Sequence, residues 1–289
     1  MMKKTRAFLK WAGGKYSLVE AIAARLPKGR VLVEPFVGAG SVFLNTDYEA
    51  YLLADINPDL IDFYNQLKHC PERVIQAAQP LFVASNNQSV AYYELREAFN
   101  GCRDPLDRAA LFLFLNRHGY NGLCRYNRKG EFNVPFGKYK KPYFPEKELW
   151  AFASKAQKAT FVCECYSETF RRLEEDHVVY CDPPYVPLSS SANFTTYAAK
   201  GFSLDDQALL AGLARETAQK QRIPVLISNH ATPLTYELYH GAQLHELQVK
   251  RSISRSGSTR SKVGELLALY LPDPQHKRAR MVESAECLR

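Results

Sequence analysis

Arg30-Val31-Leu32-Val33-Glu34-Pro35-Phe36-Val37-Gly38-Ala39-Gly40-Ser41 is the stretch that decides the fold. Its apolar, β-branched start predicts a short buried strand, and Gly38 and Gly40 free the backbone to take positive φ before a helical pattern resumes. Strand, glycine turn and helix in succession are how doubly wound α/β sheets bring backbone close to a nucleotide-like ligand. Phe43 stands where the dinucleotide fingerprint would place its third glycine, so no phosphate grip is implied.

Downstream, a second strand over Tyr51 to Ala54 ends in Asp55. A carboxylate there can accept hydrogen bonds from two ribose hydroxyls, or serve the helix beginning near Pro58, a capping role that Asn57 fits better. Upstream, Phe8-Leu9-Lys10-Trp11-Ala12-Gly13-Gly14-Lys15-Tyr16 combines one of two tryptophans with a double glycine and two lysines. Two readings stand: a surface turn with Trp11 in the core, or a carboxylate-binding corner with Lys15 as point charge. S-adenosylmethionine, which carries a carboxylate and no phosphate, suits the second.

Further strands are expected near residues 159 to 164, 177 to 181, 224 to 229, 244 to 252 and 265 to 271. Helices are expected over 15 to 26, 58 to 68, 91 to 100, 105 to 116 and 203 to 220, the last opened by Ser203 with Asp206 three residues on. The alternation predicts an α/β sheet. Strands are missing from about Asp59 to Tyr143, which predicts a lobe over 59–143 inserted in a domain of 1–58 and 144–271, with a disordered tail over 272–289.

The strand near 177 to 181 runs into Asp182-Pro183-Pro184-Tyr185. Two prolines make a stiff turn that lacks N–H groups and presents carbonyl oxygens. Asp182 and the Pro183 carbonyl could accept both hydrogens of a planar amino group whose lone pair is delocalised, and Tyr185 offers a face on which a base can stack. The plain alternative is a strand-ending turn, since Asp-Pro commonly opens one.

A chain of 289 residues, 46% hydrophobic, can bury one large domain with a smaller lobe. Seven cysteines without paired metal-ligand spacing argue against a disulfide framework and a zinc site; Cys163 and Cys165 read as strand residues facing one way. No apolar run reaches membrane-helix length and Met1 to Lys15 lacks a secretory pattern, so the expected location is the cytoplasm. The net charge of +8 suits a polyanionic partner. From Arg117 to Lys141 seven Lys or Arg face the single acid Glu131, interleaved with Tyr120, Tyr126, Phe132, Phe136 and Tyr139. Cations for phosphates and rings for bases in one segment predict nucleic-acid contact over a solvated loop. Five cations and no acid over Lys250 to Lys262 predict a phosphate-gripping loop between two strands.

Lys-Trp-Ala-Gly-Gly-Lys, Glu-Pro-Phe-Val-Gly-Ala-Gly and Asp-Pro-Pro-Tyr follow one another in that order. With them go Asn116-Arg117-His118-Gly119-Tyr120-Asn121-Gly122-Leu123-Cys124-Arg125-Tyr126-Asn127 and Gly130-Glu131-Phe132-Asn133-Val134-Pro135-Phe136-Gly137. In these blocks the chain resembles the DNA adenine methyltransferase (Dam) family nearly end to end. The resemblance implies a Rossmann-like S-adenosylmethionine-dependent methyltransferase sheet with an inserted, mostly helical DNA-recognition lobe. It implies a monomer, associated with the nucleoid, that flips an adenine from double-stranded DNA and methylates its N6 within GATC. The catalytic turn would be Asp182, Pro183, Pro184 and Tyr185, and the cofactor would meet Trp11, Lys15, Phe36, Gly38, Gly40, Asp55 and Asp182.

By the same likeness Arg125 would read the guanine of the last base pair, with Leu123 and Pro135 near thymine methyls. Lys10 and Tyr139 would face the first guanine, and Tyr120 and Asn121 would enter the base stack. Arg117, Asn127 and Lys140 would hold phosphates, and Lys138, where some members carry arginine, would keep a phosphate attraction without a forked contact. Two rivals stay open. One is methylation of RNA adenine or a glutamine amide by a related turn, the amide being disfavoured by the basic lobe. The other is a silent DNA-binding homologue, opposed by intact Asp182, Gly38, Gly40 and Lys15.

Overall fold

The computed structural model describes residues 4–187, 202–249 and 263–273. The expected phosphate-gripping loop at 250–262 and the tail from 274 onward lie outside them. Seven strands, β1 (Val31–Glu34), β2 (Ala50–Asp55), β3 (Ala159–Cys163), β4 (His177–Cys181), β5 (Val225–His230), β6 (Gln243–Val249) and β7 (Val263–Tyr270), fall on the expected segments. Their order is β3-β2-β1-β4-β5-β7-β6. β2 with β3, β1 with β4 and β4 with β5 run parallel, while β7 is antiparallel to β5 and β6. This is a Rossmann-like α/β fold. β4 is buried at every residue, as its apolar run from Val178 to Cys181 predicts for a strand covered on both faces. The last strand in the order, β6, carries exposed Gln243, Glu246 and Gln248, which blunts it against pairing with other chains. Among the described residues no helix is long and apolar enough to cross a membrane.

The chain divides into two compact units. One holds the described residues up to Ala24 with Phe36–Cys165, the other Arg25–Pro35 with the described residues from Tyr166 onward. In the first, Asn57 caps the helix Pro58–His69 by accepting from the Leu60 N–H, so the cap falls to Asn57 and leaves the Asp55 carboxylate to other work. Asp104 caps Pro105–His118 by accepting from Leu106 and Asp107. Two further helices, Pro71–Ala78 and Glu146–Ala156, are not anticipated from the sequence. Pro71 occupies the first position of the helix Pro71–Ala78, where its missing N–H costs nothing. The helix expected over 15 to 26 shrinks to Val19–Ala23, which has no side-chain cap at its start.

The core of this unit is aromatic. Phe152 stacks on Tyr64 at 4.7 Å and meets Phe8 and Phe43 edge-on at 5.2 and 5.5 Å. Tyr64 carries its hydroxyl to the Gly38 carbonyl at 2.6 Å, so the packed helix holds the glycine turn directly.

In the second unit the helix Leu204–Glu216 starts with the expected capping box, Ser203 and Asp206 each bonding the other's backbone N–H. The helical stretch expected to reach 220 passes into a π turn over Thr217–Gln221 and stops at Arg222, whose φ is 64°. Phe152→Ala is expected to cost about 3–5 kcal/mol, measured as a lower denaturation midpoint; an unchanged midpoint would show that the rings around it do not depend on one another.

Candidate active site and nucleic-acid interface

In the first unit the glycine turn has the conformation its sequence required: Gly38 and Gly40 have φ of 47° and 69°. A Cβ on Gly38 would lie 2.8 Å from Trp11 Nε1, so the indole packs directly on the turn and Gly38 is fixed by space as well as by φ. Asp55, at the end of β2, accepts the Gly38 N–H at 3.1 Å on one carboxylate oxygen and the Asn57 N–H at 3.0 Å on the other. Burial raises its pKa, while the N–H groups of Asn57, Gly38 and Ile56 pull it back down. Acceptor capacity remains on both oxygens. Next to it Ile56 is 76% exposed, an apolar side chain left uncovered beside a carboxylate. Lys15 is buried and donates to the Gly13 carbonyl at 2.6 Å.

The Asp-Pro-Pro-Tyr turn leaves β4 in the second unit. Ser228 of β5 donates to Asp182 Oδ1 at 3.4 Å, and the Ser228 hydroxyl is itself 2.7 Å from that of buried Tyr180. The Pro184 carbonyl accepts from Gln207 Nε2 at 2.6 Å, whereas no hydrogen bond reaches the Pro183 carbonyl among the described residues. Tyr185 donates its hydroxyl to Glu265 and meets the His230 ring edge-on at 4.8 Å. Burial first, and the charges of Asp182 and Glu265 next, push that hydroxyl far above its ordinary pKa, so it stays a neutral donor.

The basic segment lies in the first unit. Its hairpin is drawn by pairing of Tyr126 with Phe132 and by the Asn133 N–H donating to the Arg125 carbonyl. Tyr126 anchors it, donating at 2.6 Å to Asp59, whose other oxygen takes Arg108 Nε at 2.7 Å. Arg125 is exposed, and Asn133 holds its Nε and Nη2 at 2.8 and 2.9 Å, leaving three of its five N–H donors over. Lys10 Nζ lies 3.3 Å from the Tyr139 ring centre and donates to the Arg117 carbonyl at 2.8 Å. Burial and then the Arg117 charge lower its pKa to about 8. Tyr139 accepts the N–H of Asn121, whose φ is 53°, and Gly122 packs against Lys10 too closely for any Cβ. Tyr120, Asn121, Pro135, Lys138 and Lys140 are exposed and Leu123 is half-buried.

Two side chains expected at phosphates are otherwise engaged. Arg117 is buried, donates to the Phe8 carbonyl at 3.0 Å and lies over the Tyr143 ring. Asn127 accepts from Lys129 and Glu131 and donates to the Glu131 carboxylate at 2.7 Å, which closes the hairpin turn. The sequence reading missed Ile56, Asn133, Gln207, Ser228, Asn229 and Glu265. A signal existed for two of them, since Ser228 and Asn229 are polar residues inside an otherwise apolar strand.

A mostly parallel sheet with a glycine turn after β1, a carboxylate after β2 and Asp-Pro-Pro-Tyr after β4 defines a Rossmann-like methyltransferase. The chain belongs to the family whose model, the D12 class N6 adenine-specific DNA methyltransferase, matches residues 11–253. Over 271 residues it is 63% identical to a DNA adenine methylase of Vibrio cholerae serotype O1, covering 94% of this chain and 98% of the relative. It is 62% identical to that of Salmonella typhi and 61% identical to that of Escherichia coli K12, covering 94% of this chain and 97% of each. It is an enzyme that methylates adenine in DNA at specific sites.

Gly38→Ala is expected to displace Trp11 and strain the turn, costing about 1–2 kcal/mol. A shift in Trp11 fluorescence in a Trp150→Phe background, with a lower melting temperature, checks this; an unmoved emission maximum would refute the contact.

Proposed function

We propose that this chain transfers a methyl group from S-adenosylmethionine to N6 of an adenine flipped out of double-stranded DNA, within GATC, acting as a monomer in the nucleoid-bearing cytoplasm. The observation that carries the chemistry is the division of labour between two neighbouring carbonyls: Pro184 is held by Gln207, and Pro183, next to Asp182, is left over. GATC and the identity of the donor rest on family likeness.

The residues of the first unit suit that donor. Asp55 retains acceptor capacity for ribose hydroxyls, exposed Ile56 offers an apolar face to adenine, and the Trp11-covered turn of Phe36, Gly38 and Gly40 brings backbone close. Lys15 supplies positive charge for a carboxylate. Bound there, the donor supplies a methyl on a sulfonium. Asp182 and the Pro183 carbonyl accept the two N6 hydrogens of adenine, which localises the lone pair that forms the N–C bond as the S–C bond breaks to a neutral thioether, and favours the positive charge on nitrogen until one of those hydrogens leaves as a proton. Tyr185, its hydroxyl fixed by Glu265, offers a ring already oriented for stacking, and Pro184 keeps the turn stiff.

The segment 59–143 is proposed as the recognition lobe of a catalytic domain formed by 1–58 and 144–271. Arg125, pre-set by Asn133, reads guanine through its remaining donors, and Leu123 and Pro135 lie against thymine methyls. Lys10 and Tyr139 face the first guanine, Tyr120 and Asn121 fill the stack, and Lys138 and Lys140 hold phosphates. Arg117 supports Lys10 from inside and Asn127 shapes the hairpin, which replaces the phosphate contacts first expected of them.

Duplex oligonucleotides with and without GATC, incubated with radiolabelled donor, test the reading: label is expected in N6-methyladenine of the GATC duplex, and equal labelling of a scrambled duplex would overturn the target. Asp182→Ala is expected to lower kcat by at least about 10²–10³-fold with the fold retained; wild-type turnover would remove Asp182 from the mechanism. Arg125→Ala is expected to relax discrimination at one base pair by about 1–3 kcal/mol, while Lys140→Ala weakens all sequences alike and reduces the salt slope by about one. Equal losses on every sequence from both would refute the split between reading and holding.

A further inference from the structure

Behind the Asp-Pro-Pro-Tyr turn lie two amide side chains that are fully buried, Gln207 on the helix Leu204–Glu216 and Asn229 on β5. Asn229 has no bonding freedom left. Its Oδ1 accepts the Val186 N–H at 3.0 Å and the His230 N–H at 2.9 Å, and its Nδ2 donates to Tyr239 at 2.8 Å and to Gln207 Oε1 at 3.1 Å. Two backbone donors, which cannot change sign, therefore fix where the oxygen of Asn229 lies. Its nitrogen must then face Gln207, Gln207 must present oxygen to it, and the Gln207 nitrogen must point at the Pro184 carbonyl, 2.6 Å away. Reversing either amide would set donor against donor between two fully buried side chains.

We infer that Gln207 and Asn229 are positioning residues for methyl transfer: this relay draws the Pro184 carbonyl inward and so determines that Pro183 is the carbonyl presented to the substrate amine. The inference rests on the proposed roles of Asp182 and the Pro183 carbonyl. A proline pair has fixed φ at both residues, so pinning one carbonyl narrows the orientations open to the neighbouring peptide. The relay also ties the turn at both ends, to Pro184 through Gln207 and to Val186 through Asn229. It touches no reacting atom, and its effect belongs in the rate of the bound complex rather than in binding.

Gln207→Glu tests the donor sense directly. Below the pKa of the introduced carboxyl its O–H donates to Pro184 and its other oxygen accepts from Asn229, reproducing the amide. Above it, a carboxylate confronts a carbonyl and donates nothing. Burial raises that pKa. The expected result on a GATC duplex is a kcat that falls as pH rises through an ionisation absent from the wild-type profile, with KM for DNA within about twofold. Gln207→Met, close in volume and without a donor, is expected to lose about 10–100-fold in kcat at every pH, and melting curves over the same range identify the pH values at which each variant is folded.

A Gln207→Glu profile superimposed on that of the wild type, or a Gln207→Met enzyme with undiminished kcat, would overturn the inference; if Gln207→Glu does not fold, Gln207→Met alone decides. Asp182→Ala separates the two levels. Turnover retained in that variant removes the proposed site, whereas an inactive Asp182→Ala beside a fully active Gln207→Met removes the relay and leaves the site standing.

Discussion

A backbone that turns away from a buried sheet must find partners for the polar groups it can no longer pair, and in both units the side chains that answer this need also shape the chemistry. At the end of β2, Asp55 satisfies the N–H groups of Gly38 and Asn57, which ties the glycine turn to the start of the next helix. Tyr64 satisfies the Gly38 carbonyl from the same helix. At the end of β4, Asn229 and Gln207 do the corresponding work for Val186 and Pro184. An unmade bond at such buried positions costs about 1–3 kcal/mol, so these turns are held by a penalty for every alternative as much as by the bonds themselves.

The basic segment follows a different rule. Under the proposed function, affinity for a polyanion would need cations that are exposed and able to displace counterions, and Lys138 and Lys140 are exposed. Reading bases needs donors whose direction is already set. Arg125 spends two of its donors on Asn133 and thereby aims the rest, and Lys10 is held over the Tyr139 ring while burial and Arg117 weaken its hold on a proton. Arg117 and Asn127 are the cost of that order: a buried guanidinium and an amide bonded to its own turn build the segment.

Much of the fold was legible because it rests on local chemistry. Apolar, β-branched or alternating runs of strand length located the seven strands among the described residues, and burial on both faces accounts for the apolar composition of inner strands such as β4. Ser203 with Asp206, and Asn57 before Pro58, gave two helix starts because a cap satisfies donors within three residues of itself. The helix Pro71–Ala78 was not anticipated, and proline at its first position is ambiguous because the same residue that breaks a helix also opens one.

The amino-acid sequence by itself determined the strands, the glycine turn with its positive φ, and the residue types of the Asp-Pro-Pro-Tyr turn, each being a property of a few neighbouring residues. Only the tertiary structure decided which of those residues are available. Arg117 and Arg125 carry the same guanidinium within one short segment, yet one is committed to the Phe8 carbonyl and the other is aimed outward. Pro183 and Pro184 are chemically the same, and Gln207, 23 residues away in sequence, distinguishes them by bonding one carbonyl and not the other. Hydrogen-bond commitment is set by whatever the folded chain brings within about 3 Å, and that neighbourhood is assembled across distances in sequence that no local pattern encodes.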